Sequence, residues 1–225
     1  MSAEVEPKVI NTGIVVYKNA INKDWNLIDR LEASLSREDS PFKWRGSKVG
    51  FFEDNQSHRN CQDFIYEAKN LGEPNEYSSD LITIHGQVHD SLRKCLDDYS
   101  FRYGIAINWI GSFNMVKYGP GEKFNVHSDD GDPYRCTVSA VGYINDNYAG
   151  GELYFNHFDL TYKPEAGDLV LFPSSYIYSH ASVPVTEGIK YAIVIMTDRS
   201  SFAHYDDSPI YHSVEEREKR GLSLS

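Results

Sequence analysis

Between Ile105 and Asp198 the chain is cut into short apolar runs by turn-forming residues, and this texture limits the fold more than any other feature. The runs are Ile105 to Tyr118, Arg135 to Tyr143, Glu152 to Phe155, Asp168 to Phe172, Tyr176 to Val183 and Tyr191 to Asp198. Gly119 to Gly121, Asp130 to Pro133, Gly150-Gly151, Glu165 to Gly167 and Glu187-Gly188 separate them. Runs too short for helices, broken at such spacing, read as the strands of a β-sandwich or barrel-like core. Val9 to Tyr17 reads as an opening strand ahead of it. Asn22 is placed to cap a helix running to about Leu35, with Trp25, Ile28, Leu31 and Leu35 on one stripe. Ser78, Ser79 and Asp80 precede a longer helix that turns Leu81, Ile84, Val88, Leu92, Cys95 or Leu96, and Tyr99 inward and ends before Gly104. The segment from Ser40 to Asn75 has no sustained period and reads as short strands and loops. The expectation is an α+β chain with two helices packed on one face of a β-core.

At 225 residues the chain fits one domain over 1–225, long enough to bury a substantial core. Within it, 1–104 is the helical N-terminal part, 105–199 the β-core and 200–225 a tail whose charged run Glu215 to Arg220 reads as a short terminal helix or a disordered end. The net charge of −11 argues against a nucleic-acid footprint, which usually presents a basic face. No apolar run approaches the roughly 20 residues of a membrane helix, and Met1 to Lys8 lacks the pattern of a secretory signal. Cys61, Cys95 and Cys136 are odd in number and widely spaced, so they read as reduced thiols and place the chain in the cytoplasm. Oligomeric state cannot be read from these features.

The chemistry concentrates in Tyr118-Gly-Pro-Gly-Glu-Lys-Phe-Asn-Val-His127-Ser-Asp129, followed downstream by His180 and Lys190. His127 and Asp129 lie two apart, so on a strand both side chains leave the same face. Two histidines and one carboxylate can occupy one face of an iron(II) ion and leave the opposite positions open. Lys190 starts an apolar strand and offers a fixed cation for the far carboxylate of a dicarboxylic cosubstrate, since an unpaired charge in a sheet-walled cleft is costly. A second His-x-Asp pair, His157-Phe-Asp159, competes with the first. It leaves little chain before His180 for intervening strands, so it reads as an exposed strand end. His85 and His89, four apart on the long helix, read as polar or helix-edge residues.

These residues resemble the prolyl 4-hydroxylase branch of the 2-oxoglutarate/iron(II) dioxygenase superfamily. Tyr118, Gly121, Phe124, His127 and Asp129 meet its Tyr-x-x-Gly-x-x-aromatic-x-x-His-x-Asp pattern, with Phe124 where tyrosine is more usual. Gly150-Gly151-Glu152, Gly167-Asp168 through Phe172, and the ending His180…Pro184-Val…Gly188…Lys190 resemble its downstream motifs. The resemblance covers roughly Asn114 to Asp198. It implies a double-stranded β-helix (jelly-roll) with flanking N-terminal helices. It further implies His127, Asp129 and His180 as catalytic metal ligands, and Lys190, Tyr118 and Tyr143 as 2-oxoglutarate-binding residues.

The implied activity is hydroxylation of an unactivated C–H bond, most readily a prolyl residue of a peptide or protein, using Fe(II), 2-oxoglutarate and dioxygen with ascorbate as an accompanying reductant. Hydroxylation of a free amino acid or small molecule, demethylation of nucleic acid by the same iron chemistry, and a catalytically silent binding module stand as alternatives. Lys190 and the acidic net charge oppose the nucleic-acid reading. Trp44, Arg45, Arg59 and Phe64, in or beside the segment Lys43 to Asp63, are expected substrate contacts, and Asp130 and Arg135 sit beside the ligands.

Overall fold

The computed structural model describes residues 5–48, 57–67, 70–131, 135–201 and 204. The readings placed on the tail beyond 204, on the middle of the Lys43 to Asp63 segment and on part of the Asp130 to Pro133 turn lie outside them. In chain order come β1 (Glu6–Asn11), β2 (Ile14–Lys18), α1 (Leu27–Leu35), β3 (Arg45–Gly46), β4 (Arg59–Asn60), β5 (Gln62–Tyr66) and the long α2 (Ser79–Tyr103). The core continues with β6 (Trp109–Tyr118), β7 (Lys123–His127), β8 (Val138–Tyr143), β9 (Ala149–Gly150) and β10 (Leu153–Phe155). It closes with β11 (Leu160–Tyr162), β12 (Leu169–Pro173), β13 (His180–Ser182), β14 (Val185–Glu187) and β15 (Lys190–Asp198).

The strands form an eight-stranded sheet, ordered β1-β2-β12-β8-β15-β6-β5-β3, and a five-stranded sheet, ordered β11-β10-β13-β7-β4, with β14 and β9 as a separate pair. Period-two alternation divides the larger sheet into two faces. Ile193, Ile195, Ala140 and Leu171 point to one side, where Leu31 and Leu35 of α1 and Leu81, Ile84, Val88 and Leu92 of α2 cover them. Ala192, Val141, Tyr143, Val170 and Phe172 point to the other side and pack with Leu153 and Phe155 of the smaller sheet. The result is the expected double-stranded β-helix with helices on one outer face. All seven expected positions of α2 are buried, and Gly104 ends it in the left-handed region at φ 63°.

Two expectations change. The opening strand is a hairpin: Thr12-Gly13 turns the chain between β1 and β2, with Gly13 at φ 74° and the Asn11 side chain accepting from the Thr12 amide. A glycine at positive φ lets the chain reverse where an apolar run would otherwise continue. Trp25 is not on the helical stripe. It ends a 3-10 turn over Lys23–Trp25, and Asn26 adopts φ 51°, so α1 starts at Leu27 and buries Leu27, Leu31, Ser34 and Leu35. Asparagine tolerates the left-handed region better than most residues, so the period resets there.

Candidate active site

β7 and β13 are antiparallel neighbours in the smaller sheet, and their register sets His180 opposite His127. Asp129 follows two residues beyond His127 and turns its carboxylate to both imidazoles. His127 Nε2 lies 3.4 Å from Asp129 Oδ1 and His180 Nε2 lies 3.7 Å from Asp129 Oδ2. One ligand atom from each residue lies within 4.8 Å of the others, a spacing that one metal ion can bridge.

Each imidazole is held by the carbonyl two residues before it. His127 Nδ1 donates to Asn125 O at 2.8 Å, and His180 Nδ1 donates to Tyr178 O at 3.1 Å. A carbonyl oxygen can only accept, so the proton sits on Nδ1 and Nε2 keeps its lone pair for a metal. Ser139 Oγ donates to Asp129 Oδ2 at 2.6 Å and is backed by Ser174 Oγ at 2.8 Å. Burial alone would push the Asp129 carboxyl upward; the adjacent His180 and His127, with the Ser139 hydroxyl, outweigh it and hold the group well below the usual carboxylate range. Burial pulls His180 down to about 4, which leaves a neutral ligand at ordinary pH. Phe124 stacks on the His127 ring at 3.6 Å between centroids, closing its outer side.

The triad opens into a cavity of about 90 Å³ also lined by Lys190, Tyr118, Tyr143, Ser182 and Arg59. Lys190 is 2% exposed. Its ammonium donates to Gly151 O and to Ser182 Oγ, each at 2.7 Å, and lies 5.1 and 5.4 Å from the ring centroids of Tyr118 and Tyr143. Among the described residues no carboxylate pairs with it. Burial lowers it to about 7, which marks a cation held without its counter-ion. Burial also raises both tyrosines well above their ordinary value, so both phenols stay protonated donors.

The Gly150-Gly151 corner makes this arrangement. Gly150, at φ 72°, pairs with Val185, and a Cβ there would meet the Pro184 carbonyl oxygen at 2.2 Å. Gly151, at φ 67°, donates its amide to Pro184 O and turns its own carbonyl to Lys190.

The other residues singled out from the sequence lie as follows. Phe64 is core, stacked on Tyr66 at 5.0 Å, and Trp44 packs against Tyr191 at 6.3 Å. Arg45 is exposed on β3. Asp130 is spent on its own loop, accepting from the Cys136 amide. His157 is exposed on a 3-10 turn with Asp159 at φ 45°, apart from the triad. Arg59, expected as a substrate contact, lines the cavity itself. Ser139 and Asn114 were missed; a polar residue within an otherwise apolar strand was their signal.

A jelly-roll presenting two histidines and a carboxylate beside a buried lysine defines a class of metal-dependent enzyme folds. Within that class, residues 113–197 match the model of the 2OG-Fe(II) oxygenase superfamily, so the resemblance read from the motifs stands on an independent comparison. A PKHD-type hydroxylase from Rippkaea orientalis is 31% identical over 94 residues, covering 38% of this chain and 41% of that protein. The match thus spans well under half of that relative's length. Among solved structures, a prolyl hydroxylase from Trichoplax adhaerens in complex with a hypoxia inducible factor peptide superposes with a TM-score of 0.62 at 17% identity, covering 83% of this chain and 84% of that one. The viral collagen prolyl hydroxylase of Paramecium Bursaria Chlorella virus-1, in complex with 2OG, gives 0.58 at 16% identity, covering 82% and 95%. A Pseudomonas putida prolyl-4-hydroxylase gives 0.56 at 18%, covering 84% and 93%. These likenesses establish the double-stranded β-helix of the prolyl hydroxylases as the fold.

The donor set suits a divalent transition metal, and the unanswered ammonium across the cavity suits an anion. Two buried polar atoms of residues lining the same cavity, Arg59 Nε and Asn114 Oδ1, have no hydrogen-bond partner among the described residues, which also fits a polar ligand. No helix among the described residues is long and apolar enough to cross a membrane.

Proposed function

We propose that this chain is a 2-oxoglutarate- and Fe(II)-dependent dioxygenase that hydroxylates a prolyl residue of a peptide or protein. The observation that carries the proposal is the convergence of His127, Asp129 and His180 beside a buried lysine without a counter-ion. His127, Asp129 and His180 would hold the iron. Lys190, with Tyr143 and Tyr118 around it, would hold 2-oxoglutarate by its far carboxylate. With both bound, dioxygen is spent so that one oxygen atom enters the substrate C–H bond as hydroxyl and the other enters succinate as carbon dioxide leaves.

The chain's own contribution is orientation. The carbonyls of Asn125 and Tyr178 fix the ligand nitrogens, and Ser139 holds the carboxylate. Apolar Val116, Val141, Leu153 and Ala192 between the two ends limit the water that can enter. Prolyl specificity and a peptide substrate are supported by the likeness to prolyl hydroxylases, one of them a peptide complex. We further read residues 1–225 as one functional unit acting in the cytoplasm, with ascorbate as an external reductant.

The test is anaerobic titration of purified protein with Fe(II) and 2-oxoglutarate, watching for the metal-to-ligand charge-transfer band, beside Asp129→Ala. The expected result is a band in wild type and none in the variant, followed by a mass gain of one oxygen on a prolyl peptide when air is admitted. A folded wild type without the band would sink the oxygenase reading; a band without any hydroxylated peptide would move the substrate to a small molecule.

A further inference from the structure

A second buried cation shares the cavity with Lys190. Arg59 sits on the two-residue strand β4, whose register opposite Phe124 of β7 carries it into the cavity wall. It is 8% exposed, and its guanidinium lies over the Phe124 ring at 4.9 Å. The Phe124 ring gives that guanidinium an aromatic face to rest on. Nη2 pairs with Asp63 at 3.2 Å and Nη1 donates to Lys48 O at 3.0 Å. Nε is buried and has no hydrogen-bond partner among the described residues. A guanidinium presents its donors in a rigid planar fork suited to a carboxylate, so an orphaned Nε in a cavity wall asks for an acceptor from the cavity.

Arg59 and Lys190 converge on the same neighbours. The Tyr118 ring lies under the Lys190 ammonium, and Arg59, Tyr118 and Lys190 line the same cavity. Asp63 pairs with Arg59, whereas no carboxylate among the described residues pairs with Lys190.

Resting on the oxygenase reading, we propose that Arg59 is a second cationic residue of the cosubstrate subsite, receiving the far carboxylate of 2-oxoglutarate together with Lys190. It is thus a specificity-determining residue for a dicarboxylate over a monocarboxylic 2-oxoacid, contributed by the N-terminal part of the chain, outside the stretch that carries the family motifs.

Calorimetric titration of the full chain loaded with Mn(II) tests this, using 2-oxoglutarate and 2-oxopentanoate, which share a chain length and differ in the far carboxylate. Arg59→Gln is the first variant. Because it strands buried Asp63, the charge-neutral pair R59Q/D63N is the second. In either folded variant, 2-oxoglutarate affinity should fall by about tenfold or more while 2-oxopentanoate affinity stays within about twofold. Unchanged 2-oxoglutarate affinity, or an equal loss for both acids, overturns the role of Arg59 and leaves the oxygenase reading intact. Wild type that binds neither acid overturns that reading, and this one with it.

Discussion

Asp168 and Lys190 are both almost fully buried, at 1% and 2% exposure, yet their surroundings differ in kind. Asp168, at the entrance to β12, is answered from every side. Lys18 pairs with it at 3.1 Å, the Tyr162 hydroxyl and the Glu165 amide donate to it, and Glu165 shares the lysine. Lys190, at the start of β15, meets among the described residues a carbonyl, a hydroxyl and two aromatic rings, with no carboxylate paired to it. The first charge is closed and holds strands together. The second is open, and an open buried charge is retained at a cost that a ligand can offset.

This contrast can be broken by experiment. The largest effect is expected at the closed charge. Asp168→Ala should lower unfolding stability by about 3 kcal/mol, discounted for the partly exposed Lys18, with 2-oxoglutarate affinity unchanged in the folded fraction. Denaturant titration checks the first and calorimetry the second; a small stability loss would remove the distinction. Lys190→Met should do the reverse, with stability kept or improved and 2-oxoglutarate affinity falling about a hundredfold, or about 2.8 kcal/mol.

The smallest effect is in pH. Burial sets free Lys190 near 7, whereas a bound dianion favours the ammonium. Affinity for 2-oxoglutarate should therefore be flat below about pH 7 and fall by up to about tenfold per unit above it, because binding then requires proton uptake. The same titration on Lys190→Met should be flat over this window; a slope there would assign the dependence to another group.

Much of this was legible in the residues, and the boundary is physical. The stripe of α2, the strand spacing, and the pairing of His127 with Asp129 are local, written at distances of two to four residues. His180 and Lys190 were reachable because turn signals around them fixed the strand ends. Arg59 was not, since a strand of two residues has no period and only its pairing with β7 carries it inward. The Ser139 bond to Asp129 spans two strands and likewise has no local signature. At Asn26 and Gly13, single backbone angles reset the pattern in ways that hydrophobic spacing does not record.

The Gly150-Gly151 corner has a consequence for mutational tolerance. Its carbonyl grips Lys190, while its crowded approach to Pro184 admits no side chain at Gly150. A lineage could keep His127, Asp129, His180 and Lys190 intact and still lose the proposed reaction through one methyl group at this corner. Inactive descendants should therefore be sought by reading the two glycines as well as the candidate metal ligands.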